Sequence, residues 1–474
     1  MRETLELSYL TAAEALAQFR AKTLSPVEYL RAVIERCERV NPKLNAFTYT
    51  FFERALELAK DAETRYVKGT NVRPLEGIPV VIKDLHPVEG EITTCGSRVL
   101  EGVRSEYTAP AVQRLFDAGA IMHARSTTPE YAHAGYTYSA LWGVTRNPWN
   151  LDYAPGGSSG GAGAALASGM TALADGTDGG GSIRIPSSAC GVVGYKPPFG
   201  RNPLNILPTN FELLLMIGPM ARSVEDVRLM QNVMCGPHVA DITTLRPKLE
   251  IPEALEGIEG WKIAYSPDLG YVQVDPEVQS NTLDCVAAFK ELGCRVDEVE
   301  VCWNWGVLDA WQTHWESLSA ALLGDIVGRY RYEEMNRFLV QTVQTGLTHS
   351  AEKLKKTEYV RTEMWKTLGP ILEKYDVLIC PTLAIPSVAA EHDPLDPGFE
   401  INGRHVDPYV GWYFTYQFNL LSQLPVMSVP SGFSSAGVPT GLQIVGRPYD
   451  DISVFRAAKA FEQVRPWRHH HPAI

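Results

Sequence analysis

Apolar residues recur at helical spacing through the first forty-odd positions, and two start signals set their phase. Thr11-Ala-Ala-Glu14 and Ser25-Pro-Val-Glu28 both fit the capping box, in which a hydroxyl and an acidic side chain three positions on satisfy free backbone amides. Pro26 stands at a first helical position, where its missing N–H costs nothing. The second helix is expected to stop near Arg39, before Asn41-Pro42, because a residue preceding proline is pushed out of the helical region. The period then changes. Residues 78–85, IPVVIKDL, form a β-branched apolar run broken by one lysine, which reads as a buried strand. A helix over 108–118 ends at Gly119, and AIMHAR follows as the next strand. Ser223 and Asp226 cap a helix over about 224–234, and Pro276 opens one that runs to Gly293. WKIAY at 261–265, RVDEVEV at 295–301, VLICPTLAIP at 377–386 and LPVMSVP at 424–430 read as strands. This alternation predicts an α/β fold, a mixed central β-sheet covered by helices on both faces.

Residues 155–200 break the pattern. PGGSSGGAGAALASG and GTDGGGSIRIPSSACG concentrate glycine and serine as a flexible linker would. A linker, however, has no need of the helix-compatible AGAALASGM or the apolar ACGVVGY, so the segment reads as built structure. Residues 303–332 carry Trp303, Trp305, Trp311, Trp315, Tyr330 and Tyr332, whose first meaning is packing of long helices and whose second is a substrate wall. Composition is that of a globular chain, 45% apolar and 21% charged. A net charge of −12 argues against binding nucleic acid, where neutralising phosphate with Lys and Arg dominates affinity. No apolar run reaches the ~20 residues of a membrane span, and MRETLELSYL lacks the apolar stretch of a secretory signal. The eight cysteines stand singly, without a C-x-x-C pair, so the expectation is a reduced, cytoplasmic enzyme.

The chemistry narrows by elimination. H-E-x-x-H is absent and the eleven histidines show no metal-binding spacing, so neither a zinc site nor any other metal is expected. The phosphate-binding G-x-x-x-x-G-K-[ST] is absent, and Leu166 stands where a dinucleotide fingerprint starting at Gly161 needs its third glycine. Two serines in glycine-rich settings remain. Gly156–Gly160 satisfies G-x-S-x-G, the nucleophile elbow of α/β-hydrolases, which would make Ser158 the nucleophile with a distant His and Asp. Ser182 follows Gly179, Gly180 and Gly181, and consecutive glycines let several N–H groups converge on one anion. That arrangement favours Ser182 as nucleophile, with the N–H groups of the three glycines and Ser182 as the oxyanion hole. Lys83, inside an apolar strand, is the candidate base: burial disfavours the ammonium and leaves an amine able to accept a proton. The alternative for Lys83 is a side chain that reaches from a strand end to solvent.

Taken in order, GIPVVIKD, PGGSSGGAGAALASG, GTDGGGSIRIPSSACGVVGYKP and GLQIVGRP resemble the characteristic blocks of the amidase signature family of serine hydrolases. The likeness runs from about residue 6 to 465. It implies a Ser–cis-Ser–Lys triad in which Ser182 is the nucleophile, Ser158 the bridging serine and Lys83 the terminal base. Ser159 is then a neighbour of the triad, and Asp178 and Arg184 match the acidic and basic residues that support the nucleophile loop. The resemblance further implies one domain over residues 1–474, with a catalytic core about 65–235 and a helical region about 300–375 over the substrate. No cofactor is implied, and homodimers are common in the family. Three positions depart from the family's pattern or bear on substrate: Lys196-Pro197-Pro198 replaces K-P-T, His86 ends the loop after Lys83, and Arg201 is expected at the pocket mouth.

The implied reaction is acyl transfer through a serine ester, acting on small amides such as aryl acylamides or on the related carbamates. The alternative is the A subunit of a tRNA-dependent amidotransferase, which shares the triad and releases ammonia from glutamine. A binding-only relative would have lost a triad position, and none is lost. The aromatic segment favours the hydrophobic substrate, with Trp303 and Trp305 as candidate contacts. No nucleic acid or membrane partner is expected.

Overall fold

The computed structural model describes residues 2–329 and 334–474, so Tyr330 and Tyr332 lie outside the described residues. Its centre is an eleven-stranded sheet. In chain order the strands are β1 (Phe47–Thr50), β2 (Pro79–Lys83), β3 (Ile121–Ser126), β4 (Leu173–Asp178), β5 (Val193–Lys196), β6 (Met216–Ala221), β7 (Lys262–Tyr265), β8 (Arg295–Glu298), β9 (Val377–Pro381), β10 (Val426–Phe433) and β11 (Pro439–Val445). Across the sheet they run β1-β3-β2-β4-β6-β5-β10-β11-β9-β7-β8. Pairing is parallel through β3-β2-β4 and through β9-β7-β8 and antiparallel elsewhere, so the sheet is mixed and flanked by helices, as the alternation predicted.

Local chemistry sets most of the boundaries. Thr11 accepts from the Glu14 amide while the Glu14 carboxylate takes the Thr11 amide, a complete capping box for helix Ala12–Ala21. The next helix, Pro26–Leu44, does not stop before Asn41-Pro42. Pro42 falls in its last turn, where little helix remains to lose, and Asn45 in the left-handed region closes the end through its N–H to the Asn41 carbonyl. The strand over 78–85 is shorter, 79–83, and buried along its length between β3 and β4.

The glycine-rich segment is core. Helix Gly160–Ala167 is buried on every side, and a Cβ at Gly161 would stand 2.5 Å from the Ala46 carbonyl oxygen and Thr127 Oγ1. Only a bare backbone packs that closely. β4 and helix Arg184–Cys190 follow, both buried, so residues 155–200 tie the sheet centre to its covering helices.

The aromatic-rich segment forms helix Gly306–Val327, which packs against helices Arg337–Gly346 and Ala351–Lys374. No helix among the described residues is long and apolar enough to cross a membrane.

Candidate active site

β2 and β4 lie side by side, and their last residues build the floor of the site. The main-chain ladder joins Val80 to Leu173 and Val81 to Ala174, then gives way: the Lys83 N–H bonds instead to Asp175 Oδ1 at 2.7 Å. Side chains at alternate positions of a strand share a face. Asp175 and Thr177 therefore share the face that meets Lys83, while Asp178 lies on the other. Thr177 Oγ1 lies 2.8 Å from Lys83 Nζ. From the glycine-rich loop before helix Gly160–Ala167 come Ser158 Oγ at 2.7 Å and Ser159 Oγ at 3.0 Å from the same nitrogen. The Gly157–Ser158 peptide is cis.

Three hydroxyls around one amine suit both of its protonation states. An ammonium donates to all three; a neutral amine donates to two and accepts from the third, because each hydroxyl is both donor and acceptor. Either state keeps all three contacts to the nitrogen. Lys83 has no solvent exposure, and burial brings its pKa down to about 7, against the opposing pull of the Asp175 and Asp178 carboxylates. It does not reach solvent from a strand end, as the alternative expectation had it.

Ser182 shares a cavity of about 280 Å³ with Ser158, Thr177 and Gly179. The Ser159 N–H donates to the Ser182 carbonyl at 3.2 Å, which ties the two glycine-rich loops together. Carbonyls of the nucleophile loop have their own partners: Trp311 Nε1 donates to Gly179 at 3.0 Å and the Thr415 hydroxyl donates to Gly180. In a trans peptide the next N–H points opposite the carbonyl. These two anchors thus fix the directions of the Gly180 and Gly181 N–H groups. Gly181 has φ +127°, and a Cβ there would lie 2.1 Å from Thr415 Oγ1, so glycine is required.

Asp178 and Arg184 form a buried bidentate pair, Nε to Oδ2 at 2.9 Å and Nη2 to Oδ1 at 2.8 Å. Arg184 also donates to Gln443 and Asn419, and Asn419 returns a bond to Asp178. Burial alone would raise the Asp178 pKa; Arg184 and Asn419 outweigh it and hold the carboxyl below its ordinary value.

Among the described residues the remaining lining is mostly apolar, with Leu85, Leu100, Leu215 and Leu322 among its members beside Tyr131, His133 and Ser319, and it includes no Asp, Glu, Lys or Arg. Helix Gly306–Val327 forms one wall, but through Trp315 rather than Trp303 or Trp305. Trp303 is buried in the core with its indole N–H on Thr367, and Trp305 is 41% exposed and packs at a right angle to the Tyr271 ring. Both precede the helix, whereas Trp311 and Trp315, one turn apart within it, stack at 5.5 Å.

Arg201 is likewise not at the mouth. It pairs with Asp451 at 2.7 Å, away from the cavity lining, because that buried carboxylate offers it two oxygens. His86 lies in the turn after β2, as its place in the loop implied, and is fully buried there, with Nδ1 on Asp175 Oδ2.

Sequence reasoning missed Thr177, Asp175 and His133, and it named Trp315 only as one of the aromatics of a possible substrate wall. The strand alternation in LADGTD was a usable signal for the first two; for His133 there was none. His133 lines the cavity with both ring nitrogens engaged. Trp315 Nε1 donates to its Nδ1 at 3.1 Å, so Nε2 carries the hydrogen that meets Thr342 Oγ1 at 3.1 Å. Burial lowers its pKa to about 3, which keeps the ring neutral. Among the described residues no group of His, Cys, Asp or Glu could hold a metal ion.

The family described as Amidase matches residues 28–455. An acylamidase of Rhodococcus erythropolis is 37% identical over 474 residues, 98% of each chain. The glutamyl-tRNA(Gln) amidotransferase of Geotalea daltonii has an A subunit that is 32% identical over 498 residues, covering 99% of this chain and 100% of its own. Among solved structures, a bacterial aryl acylamidase of the amidase signature enzymes superposes with a TM-score of 0.91 at 32% identity, covering 97% of each chain. A 6-aminohexanoate cyclic dimer hydrolase superposes with a TM-score of 0.86 at 28% identity, covering 98% of this chain and 99% of its own.

Proposed function

The chain belongs to the amidase signature family, and on that premise we propose that it hydrolyses the C–N bond of small acyl amides through a serine ester. Ser182 attacks the carbonyl carbon as its proton passes to Ser158 and the proton of Ser158 passes to neutral Lys83. The N–H groups of Gly179, Gly180, Gly181 and Ser182 receive the oxyanion. Collapse breaks the C–N bond, and the relay runs backwards to protonate the departing amine. Water then attacks the acyl group on Ser182 with the same relay as base, which frees the acid and restores the serine.

The observation that carries this reading is the Lys83 amine, dry and ringed by three hydroxyls, two of which, Ser158 and Thr177, line the cavity that holds Ser182. The walls support a hydrophobic acyl or aryl group. Among the described residues the lining has no charged side chain to meet the ammonium and carboxylate of glutamine, which favours the amide reading over the amidotransferase role. Carbamates fit the same site, since the acyl carbon differs only by an alkoxy substituent. All eight cysteines are free, in keeping with a reducing compartment, and we place the enzyme in the cytoplasm.

The test is turnover by the isolated chain. It is expected to cleave an anilide or an aryl carbamate unaided and to leave glutamine untouched. Glutaminase activity that appears only with a partner, and no anilide cleavage, would move the chain to the amidotransferase reading.

A further inference from the structure

Behind the Lys83 amine lies a second polar layer. Asp175 Oδ1 takes the Lys83 main-chain N–H at 2.7 Å, where the β2–β4 ladder has stopped, and Asp175 Oδ2 takes His86 Nδ1–H. His86 is anchored in turn: its N–H donates to the Lys83 carbonyl at 3.0 Å, and Arg125 Nη2 donates to the carbonyls of Lys83 at 3.1 Å and His86 at 2.7 Å. Asp175, His86 and Arg125 are all fully buried. Among the described residues His86 Nε2 is buried and makes no hydrogen bond, so the ring's polar contact is the one to Asp175.

We propose that Asp175 and His86 act together as positioning residues for Lys83, clamping its main chain and setting the pH at which its amine becomes available as a base. This rests on the reading of Lys83 as the base. The Asp175 carboxylate favours the ammonium, and the hydrogen bond from His86 tempers that effect by drawing on the carboxylate's charge. The other ionisable groups near the amine are accounted for. Asp178, on the far face of β4, also favours the ammonium, and its ion pair with Arg184 offsets that pull. Asp84, beside Lys83, pairs with Arg125 from β3 at 3.5 Å. Cys95, from the loop after β2, is kept a neutral thiol by burial. Ser158, Ser159 and Thr177 contribute hydroxyls only.

The experiment reads the acid limb of the kcat/KM–pH profile with an anilide substrate. Asp175→Asn keeps an acceptor for the Lys83 N–H and deletes the charge. Its limb is expected to move to lower pH by about one unit, the scale of a nearby opposite charge. His86→Leu leaves the carboxylate without its donor, and its limb is expected to move to higher pH. His86→Gln restores a donor to Asp175 and is expected to return the limb to its wild-type place. Opposite shifts with rescue support the proposal. Variants that lose kcat with an unmoved limb, or limbs that move the same way, overturn it in favour of a purely structural pair. If Asp175→Asn does not fold, the two His86 variants decide, since an unmoved limb in His86→Leu suffices to reject the proposal. A wild-type profile with no acid limb near neutrality would instead remove the base reading itself.

Discussion

At the scale of single residues, the site depends on a lysine that the fold holds at a cost. An amine of ordinary pKa ~10.4 is brought to about 7 by burial. Between those values the unfolded chain binds a proton that the native chain has released, so wild-type stability rises with pH across that window. Below about pH 7 the charge is buried in full and the cost is complete. A Lys83→Met variant has no such titration. The wild-type advantage over it is therefore expected to grow by on the order of 3 kcal/mol between about pH 6.5 and about pH 9.5. Thermal melts at both pH values check this, and a constant difference would mean that Lys83 titrates normally. Lys83 and Ser182 were legible in the sequence because each carries its own local evidence, an amine in an apolar strand and a hydroxyl after three glycines. The ring around the amine was not. Thr177 is 94 positions from Lys83 in the chain, and only the pairing of β2 with β4 brings them together.

At the scale of elements, helix starts were readable wherever a side chain caps them, as at Thr11 and at Ser223, whose hydroxyl accepts from the Asp226 amide. Their ends were less so. Pro42 is a strong stop signal in isolation, yet the packing of Val40 and Leu44 in the core carries helix Pro26–Leu44 one turn past the expected stop. Helix Gly306–Val327 shows the same limit for function. Its aromatic density indicated a wall, but which aromatics face the cavity depends on the phase of a helix whose start the sequence does not mark. Trp315 is the residue that the phase selects, and it also borders a neighbouring cavity of about 310 Å³. Trp315→Ala is expected to lower kcat/KM for a small anilide by about 10- to 100-fold, the worth of one large apolar contact. It should gain activity on bulkier acyl groups as the two cavities join. A panel of acyl chain lengths checks this, and an unchanged preference would take Trp315 out of the substrate wall.

At the scale of the whole molecule, the sheet delivers the amine from β2 and the nucleophile loop from the end of β4, and the Asp178–Arg184 pair ties that loop to late chain. Arg184 reaches Asn419 and Gln443, more than 230 positions away, so residues from distant parts of the sequence set the geometry of one loop. The resemblance made this pair legible as a pair, but its cross-links depend on β11 and helix Gln417–Leu420 and were invisible locally. Removing one partner of a buried ion pair strands the other, so Arg184→Met is expected to cost about 3–5 kcal/mol of stability, measured by denaturant unfolding. A loss under about 1 kcal/mol would contradict this tie. The proposed reaction requires that Ser182 Oγ be the atom that becomes acylated. The most direct measurement is to treat the protein with phenylmethylsulfonyl fluoride, digest it and map the modified peptide by mass spectrometry. A sulfonyl group is expected on Ser182, formed far more slowly in Lys83→Ala and absent in Ser182→Ala. A label on Ser158 or Ser159, or one that persists in Ser182→Ala, would contradict it.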